Sequence, residues 1–216
     1  MKSYPITLKL RSQKIVIVGG GVIAERKLRK LLETGAIITL ISPEITDLIS
    51  TFVSEGKLTW KNKNFSKDDL TNAFIIIAAT NSREVNQQVY EACNQTQLIN
   101  VVDNPALSNF FVPSTFRRGK LEISVSTSGA SPGLSKKIVE QLYTQFDDSY
   151  EWYLDFLADA RSIIQERITE PKTRYRIQRN LLEPIFYELT RSQSVEERRE
   201  LLEELLTNDG EFSRKP

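Results

Sequence analysis

Short apolar runs alternate with helical patterns along residues 14–102. The runs are continuous and rich in β-branched residues, which is typical of strands buried on both faces of a sheet. The predicted strands are residues 14–18, 37–41, 57–61, 73–79 and 98–102. The intervening predicted helices are residues 22–33, 43–54 and 82–94. This alternation predicts a parallel sheet with helices on both faces.

The pattern changes after Asp103. Two strand-like runs flank residues 117–120 and predict a β-hairpin, one face of which meets solvent or a partner chain. From Ser131 onward the spacing of apolar residues predicts helices only. These begin at Pro132 and continue over 149–168, 173–191 and 195–206.

Local signals predict where the later helices begin and end. Ser131 followed by Pro132 supplies an N-cap and a first-turn proline. Ser194 and Glu197 have the spacing of a capping box. Pro184 predicts a kink or break, and the polar residues 208–216 predict a frayed tail.

Charge and composition exclude several classes of protein. Lys plus Arg number 29 against 28 Asp plus Glu in 216 residues, so the global charge favours neither nucleic acid nor a membrane surface. The longest apolar run, Ala73–Ala79, is far below the roughly 20 residues of a membrane span. The first residues lack the apolar core of a signal peptide, and Cys93 has no cysteine with which to pair. We therefore expect a cytoplasmic protein.

The absence of histidine restricts the chemistry further. Imidazole acid–base catalysis, Ser-His-Asp triads and His-ligated zinc are excluded, and one cysteine cannot build a metal cluster. We predict no metal site. Proton transfer near neutral pH must use a carboxylate, Lys, Tyr, Cys93 or the substrate itself.

A glycine-rich turn joins the first predicted strand to the first predicted helix. Residues 19–24 fit G-x-G-x-x-A, with Gly19 permitting the tight turn and Gly21 leaving room for a pyrophosphate. Small Ala24 lets the helix pack on the strand, and the helix N-terminus offers N–H groups to the phosphates. Because the motif follows a strand and opens a helix, it predicts a Rossmann-like dinucleotide site.

The end of the second strand departs from the usual fingerprint. An acidic residue about twenty positions after the glycines normally binds the adenine ribose, whereas this chain has Ser42-Pro43-Glu44. Glu44 is late, and Ser42 could donate to a 2′-hydroxyl or a 2′-phosphate. No arginine stands beside Ser42, which favours NAD over NADP. After the fourth strand, Thr80 is expected to contact the cofactor, while Asn81 is equally well explained as part of a helix cap.

Asp103 follows the fifth strand, at the edge where open α/β sheets place their sites. Asn104-Pro105 then turns the chain away. From the residues alone, Asp103 and Asn104 are equally well explained as turn formers before a proline.

Five linked motifs resemble the precorrin-2 dehydrogenase family, which includes the N-terminal module of siroheme synthases. They are "GGGVIAERK", "ISPE", "AAT", "VVDNP…NFFVPS" and "STSGASPGLSKKI", in the family's order and spacing. The resemblance covers roughly residues 1–145. It implies NAD-dependent oxidation of precorrin-2 to sirohydrochlorin in siroheme biosynthesis, by a homodimer built largely by the segment after Asp103. No methyltransferase domain follows, so the chain is not expected to make precorrin-2.

The expected fold is therefore α/β: a Rossmann-like parallel sheet, then a β-hairpin dimerisation segment, then an all-helical C-terminal domain. The expected boundaries are 1–108 for the NAD-binding domain, 109–147 for the dimerisation and substrate-contact segment, and 148–216 for the helical domain.

The resemblance also implies roles for individual residues. Asp103 matches the family's catalytic aspartate, as proton acceptor or as a carboxylate that positions the substrate. Thr127 stands where some relatives have serine, in a loop facing the tetrapyrrole. The expected cofactor contacts are Gly19, Gly20, Gly21, Val22, Ile23, Ser42, Pro43, Glu44 and Thr80. Because the tetrapyrrole carries many carboxylates, the expected substrate contacts are hydroxyl, amide and cationic groups: Asn104, Thr127, Ser128 and Lys136.

Two alternatives remain open at this point. Some relatives insert iron into sirohydrochlorin, which without histidine would depend on Asp103 and other acids; otherwise a separate chelatase would act downstream. A non-catalytic NAD(H)-sensing dimer would explain the glycines, but it gives no reason for Asp103 to accompany the hydroxyl-rich segment 126–131.

Overall fold

A computed structural model describes residues 3–212 and divides the chain into two units, Met1–Val112 and Pro113–Pro216. Among the residues described, no helix is both long and apolar enough to span a bilayer. The same residues contain no group of three or more His, Cys, Asp or Glu side chains placed to hold a metal ion.

The first unit contains a parallel sheet built from the predicted apolar runs. Its strands are β1 (Lys14–Val18), β2 (Ile37–Ile41), β3 (Thr59–Lys61), β4 (Ile75–Ala78) and β5 (Leu98–Val101). They lie in the order β3-β2-β1-β4-β5, and β1 pairs with both β2 and β4. The strand order reverses beside β1, so the carboxyl ends of β1 and β4 flank the crevice in which such sheets bind ligands.

Helices cover both faces of this sheet, as the alternating pattern predicts. They are α1 (Val22–Leu32), α2 (Asp47–Ser54) and α3 (Arg83–Ala92). On one face Ala24 and Leu28 of α1 are fully buried against inward-facing strand residues such as Ile15. On the other face Val89 of α3 packs with Val16. Burial on both faces explains why the strands are continuous apolar runs.

Several predicted boundaries are wrong in this unit, and the loop before α2 shows why. The helix predicted to begin at residue 43 begins at Asp47, because Thr46 is its N-cap and accepts a hydrogen bond from the N–H of Ile49 at 3.4 Å. Residues 43–46 instead form a loop beside the glycine turn, where the backbone N–H of Thr46 donates to the carbonyl of Gly20 at 3.1 Å.

The chain after β5 folds back along this edge strand and is held by side chains. The Ser108 hydroxyl accepts from the N–H of Val101 at 2.9 Å, and the Asn109 amide oxygen accepts from the N–H of Ile99 at 2.8 Å. The N–H of Asn109 donates to the carbonyl of Ile99 at 3.0 Å, an ordinary length for a backbone hydrogen bond. These bonds fix both ends of the turn that carries Asp103.

The second unit begins with the predicted hairpin and continues with helices. Strands β6 (Ser114–Arg118) and β7 (Leu121–Val125) pair antiparallel around a tight turn in which Gly119 has φ +51°. Phe116 of β6 is fully buried and meets Tyr143 edge to face. The helices are α4 (Pro132–Gln145), α5 (Ser149–Arg167), α6 (Pro171–Asn180), α7 (Pro184–Arg191) and α8 (Val195–Thr207).

The break expected at Pro184 within residues 173–191 is confirmed. Helix α6 ends at Asn180, and Pro184 opens α7 at a first-turn position that needs no backbone N–H. The capping box expected at Ser194 is wrong, since that side chain makes no capping hydrogen bond.

The frayed tail predicted for 208–216 is also wrong as far as Phe212. The N–H of Gly210 donates to the Leu205 carbonyl at 2.7 Å, and the Asn180 amide donates to the Gly210 carbonyl at 2.7 Å. Phe212 packs against Phe186 in the helical core. The rest of that prediction, residues 213–216, lies outside the described residues.

Candidate functional site

Gly19 makes the turn that leads out of β1. It has φ +113°, and a Cβ built on it would lie 2.3 Å from the carbonyl oxygen of Ala79. Both the backbone conformation and the close approach of the chain after β4 therefore require glycine. The turn can pass this close to the end of β4 only without a side chain.

Gly20 is required for a different reason, which sequence analysis did not find. A Cβ on Gly20 would lie 2.1 Å from the carbonyl oxygen of Glu44 and 2.9 Å from the Ser42 hydroxyl. The loop after β2 thus lies directly against the glycine turn. The G-x-G-x-x-A motif leaves this position unspecified, because the contact between Gly20 and Glu44 depends on a loop more than twenty residues away.

Gly21, in contrast, faces open space. No heavy atom lies within 4 Å of a Cβ built on Gly21, and its φ of −87° is ordinary for any residue. Gly21 is the N-cap of α1 and has no side chain with which to cap it. The first-turn N–H groups of α1 and the space before them therefore form a cradle that fits a diphosphate.

These contacts separate two roles within one motif. We expect Gly20→Ala to lower the free energy of unfolding by about 1–3 kcal/mol, because the added methyl meets backbone that cannot move freely. Gly21→Ala is the matched control and should leave the melting temperature unchanged. Thermal unfolding of both variants without cofactor measures the difference; equal stabilities would contradict the packing role of Gly20.

A cavity of about 530 Å³ opens at the carboxyl ends of β1, β2 and β4. This volume suits a cofactor-sized ligand. Seven predicted cofactor residues line it: Gly19, Gly20, Gly21, Ser42, Pro43, Glu44 and Thr80. The other two, Val22 and Ile23, are outside that lining, in the first turn of α1, with 74% and 41% of their surfaces exposed.

The side chain of Ser42 is oriented within its own loop. Its hydroxyl donates to the Glu44 carbonyl at 2.6 Å, and its own carbonyl accepts from the Trp60 indole at 2.9 Å. The Ser42 oxygen is therefore placed to accept a hydrogen bond, as from a ribose hydroxyl, rather than to donate one. A 2′-phosphate would need a donor there.

A cation that sequence analysis missed, Lys63, also lines the cavity. Its ammonium lies 2.8 Å from a carboxylate oxygen of Asp69, whose side chain is only 4% exposed. Burial raises the pKa of Asp69, but the hydrogen bonds from Lys63, Ser66 and Lys61 together outweigh it and lower the pKa. Lys61 lies 3.3 Å from the other oxygen of the same carboxylate, so Asp69 holds both ammonium groups.

Helix α1 is tied to the same loop through Glu25. The Thr46 hydroxyl donates to Glu25 at 2.9 Å, and Arg29 donates to its other oxygen at 2.9 Å. The Arg29 hydrogen bond, followed by that from Thr46, holds the pKa of Glu25 below its usual range. An ionised Glu25 therefore links the helix that starts at Gly21 to the loop that borders the cavity.

Asp103 lies just after β5 and is exposed. Its Oδ1 accepts a hydrogen bond from the side-chain amide of Asn86 at 2.9 Å. The turn-forming role belongs to Asn104, whose Oδ1 accepts from the N–H of Ala106 at 3.1 Å. Asp103 is accordingly available to a ligand from solvent while one oxygen is held.

A second depression, of about 540 Å³, surrounds Asp103 and Asn104. It is also lined by Asn86 and by a second carboxylate, Glu84, neither of which sequence analysis identified. A hydrogen bond from the Ser82 hydroxyl lowers the pKa of Glu84. In the sequence, Asn86 is distinguished only as an asparagine within a predicted helix, where this residue is unfavourable.

The remaining predicted substrate contacts belong to the second unit. Thr127 is half-buried, and its hydroxyl accepts from the N–H of Ser131 at 3.1 Å and from the Ser135 hydroxyl at 3.2 Å. Ser128 is exposed with φ +51°, and Lys136 is exposed in the first turns of α4. Asn104 is the single member of the predicted set that lies in the first unit.

The sequence and the fold are similar to those of known proteins. Residues 6–114 match the model of a family of NAD(P)-binding domains. The chain is 37% identical to a precorrin-2 dehydrogenase of Priestia megaterium over 79% of this chain and 84% of that protein. It is also 37% identical to a precorrin-2 dehydrogenase of Bacillus subtilis (strain 168), over 76% of this chain and 97% of that one.

Longer proteins and a solved structure match as well. A siroheme synthase of Nitrosospira multiformis is 32% identical over 98% of this chain but only 46% of its own length. The solved structure of SirC, a precorrin-2 dehydrogenase, is 31% identical, with a TM-score of 0.81 over 95% of this chain and 100% of that one. The similarity to SirC covers the helical second unit as well as the sheet.

Proposed function

The chain belongs to the precorrin-2 dehydrogenase family, and on that premise we propose that Asp103 acts on the tetrapyrrole while the glycine turn holds NAD. The enzyme oxidises precorrin-2 to sirohydrochlorin in siroheme biosynthesis, with NAD as the oxidant. When bound, NAD supplies the hydride acceptor. Membership of this family favours the enzymatic function over that of a non-catalytic NAD(H)-sensing dimer.

One observation carries the assignment of residues: Gly21 and Asp103 follow strands of the same parallel sheet at the same carboxyl edge. Gly21 opens the cradle for the diphosphate, and Asp103 presents a carboxylate at the rim. Ligands of such sheets bind outside this edge. A hydride acceptor and a proton acceptor are the two groups that the oxidation needs.

The residues around the cavity divide the work of holding NAD. The N–H groups of the first turn of α1, including those of Val22 and Ile23, bind the diphosphate. Ser42, Pro43 and Glu44 border the adenosine part, with the Ser42 oxygen accepting from the ribose. Thr80 contacts the cofactor by packing, because its hydroxyl and N–H are bonded within the protein.

Asp103 takes the proton that leaves the macrocycle as a bridge is oxidised. One carboxylate oxygen is held by Asn86, so the second faces the substrate. The same charge also stabilises positive charge that develops on the ring. The depression lined by Arg83, Asn104 and Glu84 gives the macrocycle edge a polar surface to lie against.

Thr127, Ser128 and Lys136 are proposed to bind carboxylates of the tetrapyrrole. They stand at the N-terminus of the 14-residue helix α4, where N–H groups favour anions. We also propose that the protein is a homodimer in the cytoplasm; 58% of Phe111 and 46% of Val112 are exposed, as apolar residues of an interface would be. Sedimentation of the purified protein as a monomer would contradict the dimer.

The function is tested by mixing purified protein, precorrin-2 and NAD anaerobically and following the absorbance of sirohydrochlorin and of NADH. We expect equimolar appearance of both products and none when NAD is left out. Replacing NAD with NADP should give a much slower reaction. Absence of NADH formation with intact precorrin-2 would refute the function.

Iron insertion is assigned to a separate chelatase rather than to this chain. The chain has no histidine, so iron insertion would have to rely on carboxylates alone, such as Asp103 and Glu84. Adding ferrous iron to the completed reaction tests this assignment. Formation of siroheme above the rate without protein would return chelatase activity to this enzyme.

A further inference from the structure

We propose that Asn86 is a positioning residue that fixes the carboxylate of Asp103 relative to the end of β4. The inference rests on the proposed role of Asp103 and adds to it the group that holds this side chain in place. Asn86 lies on α3, 17 residues before Asp103, and only 1% of its surface is exposed. It lines the depression beside Asp103 but not the cofactor cavity.

Every hydrogen-bonding group of the Asn86 side chain is used. Its Oδ1 accepts from the N–H of Thr80 at 3.2 Å and lies 2.8 Å from the Thr80 hydroxyl. Its Nδ2 donates to the carbonyl of Thr80 at 3.2 Å and to Oδ1 of Asp103 at 2.9 Å. Both N–H donors of the amide are therefore used, and its oxygen accepts from a backbone N–H.

The backbone of Thr80 determines which way the amide faces. A backbone N–H can only donate and a carbonyl can only accept, so Thr80 fixes both the oxygen and the nitrogen of Asn86. The second N–H of Asn86 must then face Asp103. The Asp103 oxygen that meets it must be an acceptor, which holds one carboxylate oxygen in place and leaves the other for the substrate.

Without such a role, an asparagine at this position would only lower the stability of the helix. Asn86 lies inside α3, where asparagine is less favourable than most residues. The neighbouring buried residue of α3 is apolar Val89, which packs on the sheet. A residue that violates local preference in an otherwise consistent element marks a functional position.

The consequence is a rigid connection between two parts of the site. Thr80 lines the cofactor cavity at the end of β4, and Asp103 lies in the neighbouring depression at the end of β5. Asn86 bonds to both. The carboxylate is therefore held at a constant distance from the strand end that borders the cofactor, as transition-state positioning requires.

The test is a double-mutant cycle on the full-length protein with Asn86→Ala, Asp103→Asn and both together. Asn86→Ala should lower kcat by about ten- to a hundredfold, the value of a hydrogen bond to a charged group. The affinity for the dinucleotide, measured as NADH binding by its fluorescence, should be unchanged. The double variant should be no slower than Asp103→Asn, because a residue that acts through Asp103 has nothing left to position.

Gln97 provides a matched control. It is another buried amide of the same unit, and its Nε2 donates to the carbonyls of Leu70 and Ala73 at 2.8 and 3.0 Å. It stands just before β5, at the opposite end from Asp103. Gln97→Ala should lower the melting temperature as Asn86→Ala does but leave kcat unchanged, which separates lost stability from lost positioning.

An exchange variant keeps the test decisive if Asn86→Ala does not fold. Asn86→Asp combined with Asp103→Asn restores a hydrogen bond between the two side chains with donor and acceptor reversed. It should melt above Asn86→Asp alone and still lack activity, because the carboxylate is on the wrong residue. Activity near that of the unchanged protein would overturn the proposal.

The outcomes distinguish this inference from the proposed function. Loss of activity in Asp103→Asn with full kcat in Asn86→Ala would overturn the role of Asn86 alone. Full activity in Asp103→Asn would remove Asp103 from the mechanism and Asn86 with it. Losses that multiply in the double variant would show that Asn86 acts independently of Asp103, and this too would overturn the proposal.

Discussion

Asp103→Asn is expected to slow precorrin-2 oxidation by about 10²–10⁴-fold while NAD affinity stays the same. Asparagine has nearly the shape of aspartate, and its amide oxygen can still accept from Asn86, so the turn after β5 should remain folded. An amide cannot take the proton that leaves the macrocycle or stabilise positive charge on it. The loss is therefore chemical.

Steady-state kinetics with precorrin-2 and a separate NADH titration measure the two parts of this prediction. A fall in kcat at constant KM indicates proton acceptance, whereas a rise in KM for precorrin-2 indicates that Asp103 mainly positions the substrate. Glu84→Gln is the informative comparison, because Glu84 lines the same depression. If Glu84→Gln abolishes turnover and Asp103→Asn does not, the proton acceptor is Glu84.

Gly21→Val is expected to abolish NAD binding and with it the activity. The space beside Gly21 is open, and its backbone conformation suits valine, so the protein should fold with unchanged stability. The added isopropyl group would occupy the cradle before α1 and keep the diphosphate from its N–H groups. A loss of at least about a hundredfold in NAD affinity follows from removing several such bonds.

Isothermal titration with NAD and thermal unfolding together test this prediction. Gly56→Asn is the matched control: Gly56 also faces open space, and asparagine tolerates its φ of +69°. That variant should bind NAD normally. Binding by Gly21→Val within a few-fold of the unchanged protein would show that the diphosphate lies elsewhere.

The sheet and the glycine turn were predictable because their causes are local in sequence. Strands such as β1 and β4 are continuous apolar runs since both faces are covered, and runs of that kind are visible without a structure. The roles of Gly19 and Gly21 follow from a short motif between a strand and a helix. The position of Asp103 before Asn104 and Pro105 was equally consistent with a turn-forming role. Its catalytic role was predicted only from the family resemblance.

The contacts that were missed join segments far apart in the chain. Asn86 meets Asp103 only because α3 packs beside β5, and Gly20 meets Glu44 only because the loop after β2 turns back toward β1. Neither register is encoded in a spacing that periodicity can detect. The late start of α2 has the same origin, since Thr46 bonds to Gly20 and begins the helix there.

The side chains along β5 also limit how copies of this chain can assemble. The outward N–H groups of Ile99 and Val101 already bond to Asn109 and Ser108, so this margin offers a neighbouring molecule no row of vacant ladder positions. A second copy could not continue the sheet across β5 by β-augmentation without first peeling that segment away. Self-association must therefore use side-chain packing or another part of the chain. The edge at β5 is also protected against aggregation by strand pairing between molecules.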